Sequence, residues 1–253
     1  MLLETDQRAF FAEHGWLVVR GAVSLERVQQ LEHAVDAIYH AGPPALPGQV
    51  WEVASVSRIS PPIAGHAHDA AIARRAAEAL GCARVKILQD TVLVKAASVG
   101  GAVAWHQDHT YTGYLDPPNA VSVRLALTDC NLDNGCLEVI DRSHTWGLLG
   151  DVRALTETYV ADALGPAAAH WRDHVVALEL SPGDISIHHC LTLHCSGENR
   201  SARTRKTLIT RLFDAGCRLV RDRLPPGAEA YFPIDDGGCL ADSAFPVLYQ
   251  SAD

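Results

Sequence analysis

The stretch "RVKILQDTVLVK", residues 84–95, decides how the chain folds. It crowds Val, Ile, Leu and Thr between Gly81 upstream and the small residues of "AASVGG" downstream, which is the composition of a largely buried strand. Before it, apolar residues recur at three- and four-residue steps. After it, they come in short runs or at alternate positions. The change of period predicts a helical flank followed by a β-rich core.

In the flank, Thr5 is expected to cap a short helix through "DQRAFFAEH", closed by Gly15. "WLVVRG" has the pattern of a strand. Ser24 should cap a second helix, with Leu25, Val28, Leu31, Val35 and Ile38 on its buried stripe. "HAGPPALPGQ" at 40–49 is a loop and not a domain boundary. Asp69 and Gly81 bracket a third helix, "AAIARRAAEAL". Beyond residues 84–95, strands are expected in "NAVSVRLALTD" (119–129), "GCLEVID" (135–141), "HVVALEL" (174–180), "GDISIHHCLTLH" (183–194) and "RKTLITRLF" (205–213), with a helical insertion over roughly 151–164. This is an α+β chain. Strands this numerous and far apart fit a jelly roll, a double-stranded β-helix core of cupin type with N-terminal flanking helices. The expected organisation is one domain over 1–253, with a mainly helical flank at 1–83, the core at 84–213 and a C-terminal extension at 214–253. For that extension the sequence suggests an extended segment over the barrel and no chemistry.

Composition narrows the function classes. The 253 residues are 48% hydrophobic and 20% charged, in keeping with a soluble globular protein of one sizeable core. No apolar run approaches the ~20 residues of a bilayer-spanning helix, and the opening "MLLETDQRAFF" lacks the pattern of a secretory signal. A net charge of −9 argues against nucleic acid or an anionic membrane as partner. The seven cysteines are scattered without CxxC spacing, so reduced thiols in a cytoplasm are expected. The partner to expect is a small molecule, bound by a monomer or small homo-oligomer.

The chemistry begins in "AWHQDHTYTGYLDPPNAVSVRLALTD", residues 104–129. His106 and Asp108 stand two apart, so along a strand they leave the same face and can offer a nitrogen and an oxygen to one point. Two ligands do not make a site; a third must come from another strand. Two histidines and one carboxylate on one face of an octahedron are what non-haem Fe(II) oxygenases use, leaving three positions open. "SPGDISIHHCLTLHCSGENRSARTRK" offers His188, His189 and His194. His189 and His194 would face opposite sides of a regular strand, so only one can join. Arg205, eleven residues after His194 across a turn-rich segment, favours His194. On a returning strand its guanidinium would stand near the metal and suit the far carboxylate of 2-oxoglutarate.

Taken with "WHQDHTY", "LALTDCNLDNGCLEVIDRSH" and "FFAEHGWLVVRGAVSLERVQQLEHAV", these segments resemble the phytanoyl-CoA dioxygenase family of Fe(II)- and 2-oxoglutarate-dependent oxygenases, over about residues 5–213. The resemblance implies His106, Asp108 and His194 as iron ligands and Arg205 as the anchor of 2-oxoglutarate, assisted by Ser196. It implies cosubstrate contacts for Gln107 and Lys95, with Fe(II), 2-oxoglutarate and O2 as the cofactor set. Because Asp108 is kept where related halogenases lose the carboxylate, it favours oxygen insertion over chlorination. The activity implied is hydroxylation of an aliphatic C–H with release of succinate and CO2. Desaturation, epoxidation or cyclisation on the same scaffold are alternatives, as is a non-oxidative metalloenzyme or metal-binding protein. One departure stands out: the family commonly has tryptophan where this chain has Arg124. By alternation Arg124 shares a face with Ser122, and it needs an anionic partner: a ligand's acid group or a neighbouring Asp or Glu.

His109, Tyr111 and Tyr114, in the loop after the HxD, are candidates to shape a substrate pocket. His66 and His68 repeat the two-apart spacing in "GHAHDA" with no third ligand nearby, and His188 and His189 are expected as strand residues, one packed and one near the cavity wall.

Overall fold

Helices of the flank form where their caps allow. The first, α1 (Thr5–His14), is capped by Glu4 rather than Thr5, through a reciprocal pair with Gln7. Gly15, at φ 77°, ends it in the left-handed conformation that glycine permits. After strand β1 (Trp16–Val19), Ser24 accepts a hydrogen bond from the Arg27 N–H and caps α2 (Leu25–Ala41). Val28, Leu31 and Val35 are buried, whereas Leu25 is 64% exposed, so the apolar stripe begins a turn later than its spacing suggests. Strand β2 (Trp51–Ala54) and a short helix α3 (Pro61–Ala67), started by its proline, follow without having been evident in the sequence. Helix α4 (Ala70–Leu80) lies between its expected brackets, with the Asp69 carboxylate on the N–H groups of Ala71 and Ile72 and Gly81 at φ 64°.

The structure, a computed structural model, describes residues 3–43, 46–150, 162, 165–232, 234 and 236–252. The helical insertion expected over 151–164 therefore lies, but for residue 162, outside the described residues. Among the described residues no helix is long and apolar enough to cross a membrane.

The remaining elements are β3 (Arg84–Lys95), β4 (Val103–His106), a one-turn helix α5 (His109–Thr112), β5 (Leu115–Asp116), β6 (Ala120–Ala126), β7 (Leu137–Ile140), β8 (Val175–Leu178), β9 (Ile185–His189), β10 (His194–Ser196), β11 (Arg205–Asp214), β12 (Arg218–Leu219) and β13 (Val247–Gln250). They form a seven-stranded antiparallel sheet, ordered β1-β9-β6-β11-β3-β13 with β2 also on β3, and a four-stranded antiparallel sheet, β4-β10-β7-β8. A small ribbon joins β12 to β5.

The larger sheet turns one face to the helices. Val121, Val123 and Leu125 of β6, Ile185 and Ile187 of β9, and Leu208 and Leu212 of β11 pack there with Leu31, Val35, Ile72 and Ala76. Its other face carries the alternate residues. On β3 the alternation changes phase: Val85 and Ile87 join the helix-side core, and so do Val92 and Val94. The pairing with β11 slips at the same place, Arg211 opposing Gln89 and Leu212 opposing Ile87. The extra residue, Leu88, is a β-bulge of the kind that re-aims side chains beside a cavity.

Two expectations are corrected by this topology. "GDISIHHCLTLH" is not one strand: β9 ends at His189, the chain turns over residues 190–193, and β10 opens in the other sheet. Nor do His194 and Arg205 lie on a hairpin, since β10 pairs with β4 and β7 while β11 pairs with β3 and β6. The two residues lie on separate sheets.

Candidate metal centre

Strands β4 and β10 run antiparallel with His106 and His194 as direct partners, and the ring centroids lie 4.0 Å apart. Asp108 follows two residues later, where the chain turns into α5. Its Oδ1 is 3.9 Å from His106 Nε2 and 3.8 Å from His194 Nε2. Ligand atoms of all three lie within 4.8 Å of one another, the only such trio among the described residues. His66 and His68 thus have no third ligand.

Both histidines are prepared for a metal. Each Nδ1 lies 2.9 Å from a backbone carbonyl two residues before it, Ala104 for His106 and Thr192 for His194. That carbonyl accepts a hydrogen bond from Nδ1–H, the tautomer that leaves the Nε2 lone pair free. Burial, then the charges of His106 and His188, hold His194 well below its ordinary pKa and so neutral.

Asp108 is held by the larger sheet. Its Oδ2 accepts from Ser122 Oγ at 2.5 Å and from His188 Nε2 at 3.3 Å, and Arg211 Nε stands 3.9 Å from Oδ1. Oδ2 is therefore committed to protein donors, while Oδ1 faces the histidines. Burial alone would raise the carboxyl pKa. Arg211, the His188 hydrogen bond and His194 outweigh it and keep the group well below the usual carboxylate range.

A cluster of cations stands behind the trio. Lys95 and Arg205 are direct partners on β3 and β11. Lys95 Nζ donates to Ser196 Oγ at 2.8 Å, to the Ser196 carbonyl at 3.1 Å and to the Gly197 carbonyl. Arg205 Nη1 donates to the Gly135 carbonyl. Gly135 can present it because the residue sits at φ 70° with its Cα against Gly197, where a Cβ would strike the Gly197 carbonyl. The Nε and Nη2 of Arg205 are buried and have no hydrogen-bond partner among the described residues. Arg124, 7% exposed, has no acidic partner among the described residues and borders the cavity that touches His106, Asp108, His194 and Ser196. The salt bridge that could have explained it is not there. Burial, then Arg205, pulls Arg124 down to about 10, and burial, then Arg205 and Arg124, pulls Lys95 down to about 7. Buried donors left unpaired are costly, and a carboxylate arriving here would satisfy them.

Other expected site residues divide. Tyr111 and Tyr114 line a chamber of about 950 Å³ that opens beside His106 and Asp108. His109 does not: it is buried and absent from that lining. Gln107 has both amide N–H donors engaged within the protein, leaving none for a carboxylate. Its amide donates to the carbonyls of Gly147 at 2.8 Å and Leu191 at 2.7 Å, and accepts from the Leu149 N–H at 2.7 Å. It ties loops together.

Sequence reasoning passed over Arg211, His188 as holder of Asp108, and the wall residues Phe232 and Phe245 of the C-terminal extension. Arg211 was findable, since it follows Arg205 by an even number of residues on one strand. His188 requires the register in which it opposes Ser122.

Two histidines and one carboxylate between antiparallel sheets, backed by unpaired cations, define the class: mononuclear non-haem metal proteins with open coordination positions. The chain belongs to the phytanoyl-CoA dioxygenase (PhyH) family, whose model matches residues 11–207. It is 33% identical over 149 residues to phytanoyl-CoA dioxygenase 1 of Oryza sativa subsp. japonica, an alignment covering 56% of this chain and 52% of that one. To the L-proline trans-4-hydroxylase of Streptomyces griseoviridis it is 29% identical over 238 residues, covering 81% and 84%. The chain spans about half the length of the plant relatives it matches. Among solved structures, the non-heme alpha ketoglutarate dependent carbocyclase SnoK from nogalamycin biosynthesis superposes with a TM-score of 0.79 at 21% identity, covering 97% of this chain and 96% of that one. That likeness is one of fold.

Proposed function

We propose that the protein is an Fe(II)- and 2-oxoglutarate-dependent dioxygenase that hydroxylates an aliphatic C–H of a small molecule on a double-stranded β-helix core. The balance is one O2, one 2-oxoglutarate and one C–H compound giving alcohol, succinate and CO2. The observation that carries this is the pairing of the His106–Asp108–His194 trio with the orphaned Nε and Nη2 of Arg205. A metal site alone would serve many chemistries; a buried guanidinium with two donors unpaired among the described residues fits a dicarboxylate cosubstrate.

When bound, iron and 2-oxoglutarate supply the oxidising chemistry. The protein's own residues do the positioning. His106 and His194 present Nε2 lone pairs, and Asp108 presents Oδ1 while Ser122 and His188 restrain Oδ2. Arg205 offers two parallel donors to the far carboxylate, with Ser196 beside it, and Lys95 adds charge while fixing the Ser196 and Gly197 carbonyls. Arg124 lies on the cavity side of the same cluster and is suited to a carboxylate of the cosubstrate or of the substrate. Arg124→Leu tests that role: unchanged turnover and unchanged Michaelis constants for both would remove it.

The test of the whole reading is succinate formation from 2-oxoglutarate, dependent on Fe(II) and O2 and abolished by Asp108→Ala. Succinate that forms without iron, or in the Asp108→Ala variant, overturns it. With a substrate in hand, a product heavier by one oxygen supports hydroxylation, whereas loss of two hydrogens supports desaturation.

A further inference from the structure

The chamber beside His106 and Asp108 measures about 950 Å³, and its lining is of two chemical kinds, aromatic and charged. Tyr111, 61% exposed, sets its ring edge-on to that of His106 at 5.9 Å; Tyr114 lies 4.9 Å from Phe232; and Phe232 stacks on Phe245 at 5.5 Å and 20°. The lining also holds Glu52, Arg58 and Arg211. Arg211 is already engaged, with Thr91 Oγ1 at 3.0 Å and Asp108 Oδ1 at 3.9 Å. Arg58 makes no side-chain hydrogen bond or ion pair among the described residues. It also lines a second cavity of about 300 Å³.

Size and charge choose between ligand classes. A chamber this large is at the upper end of the range that buries a drug-sized molecule, about 300–1,000 Å³. A free amino acid would fill a small part of it and leave the aromatic lining wet. A CoA thioester brings several phosphates, yet the charged lining has one uncommitted arginine, and Glu52 repels anions. Broad aromatic faces sharing one chamber with a guanidinium that has no partner among the described residues match a flat apolar body with a single acid group.

We propose that the chamber takes a drug-sized carboxylic acid built on fused or linked rings, its rings against Tyr111, Phe232 and Phe245 and its carboxylate on Arg58. From the oxygenase reading the proposal takes only that this chamber is the substrate site.

The experiment is equilibrium binding to the Mn(II)-loaded protein saturated with 2-oxoglutarate, followed by fluorescence anisotropy or dialysis. The probes are an anthracene carboxylic acid, its primary amide, L-proline and decanoyl-CoA. The acid should bind, and the amide about tenfold more weakly for want of the charge-assisted bond. Arg58→Leu should erase the difference between acid and amide, and Phe245→Ala should weaken both alike. Equal binding of acid and amide overturns the proposal, as does tighter binding of L-proline or decanoyl-CoA, or an acid preference that survives Arg58→Leu. Succinate release by the Fe(II) protein is scored separately. Ring-acid binding without succinate release defeats the oxygenase reading alone, and succinate release stimulated by L-proline or decanoyl-CoA but not by the acid defeats the ligand class alone.

Discussion

The two faces of the seven-stranded sheet deal with burial in opposite ways. Towards the helices, Val121, Val123 and Leu125 meet Leu31, Val35 and Ile72, and contact alone completes the arrangement. One residue out of step on the same strands, Ser122, Arg124, His188 and Arg205 are also buried, but His188 Nδ1 and the Nε and Nη2 of Arg205 have no hydrogen-bond partner among the described residues. The dry face stabilises the fold through transfer of apolar surface from water. The face towards the site gives up part of that stability, because buried donors left unpaired are destabilising. Strand parity thus separates what holds the protein together from what it does.

Four experiments test that separation. The largest effect belongs to the dry face: Leu125→Ala should cost about 2–5 kcal/mol of unfolding free energy in urea titration, with the Michaelis constant for 2-oxoglutarate unchanged in the folded fraction. Next, Arg205→Leu should raise that Michaelis constant about a hundredfold, the worth of two charge-assisted hydrogen bonds. Unfolding free energy should hold or rise, because a buried cation with orphaned donors is removed. A loss of stability as large as that of Leu125→Ala would erase the contrast between the faces. Third, His188→Leu should weaken metal binding about ten- to a hundredfold, measured by Co(II) titration without cosubstrate, and His188→Asn should recover part of it by donating again to Asp108 Oδ2. Equal affinity in the leucine variant would make His188 mere packing.

The smallest effect is a pH dependence. Lys95, pulled down to about 7 by burial and then by Arg205 and Arg124, loses its proton as pH rises through that value. An anion nearby favours the charged form, so binding of 2-oxoglutarate should take up a proton near neutrality and weaken several-fold on the alkaline side. Lys95→Met should flatten the profile; a wild-type profile already flat from pH 6 to 8.5 excludes the linkage.

How far the sequence carried depended on whether a feature was local. Caps at Ser24 and Asp69, the stop at Gly81 and the limits of β3 were legible because each depends on residues within one turn or one strand. The trio was legible through spacing, since His106 and Asp108 are neighbours and His194 is flagged by Arg205. What failed was pairing at a distance. Nothing local says that residues 190–193 carry the chain from one sheet to the other, so His188 and His194 seemed to share a strand. Gln107 seemed free because its three backbone partners lie 40 or more positions away. The bulge at Leu88 was hidden inside an apolar run in which either phase of alternation looks acceptable.

Every residue of the trio and every cation behind it falls within residues 11–207, the span shared with the family. Phe232 and Phe245 come after that span, on a tail whose far end β13 fastens to β3. Substitutions in that tail can therefore alter the chamber's aromatic lining while every segment that carries the trio stays as it was.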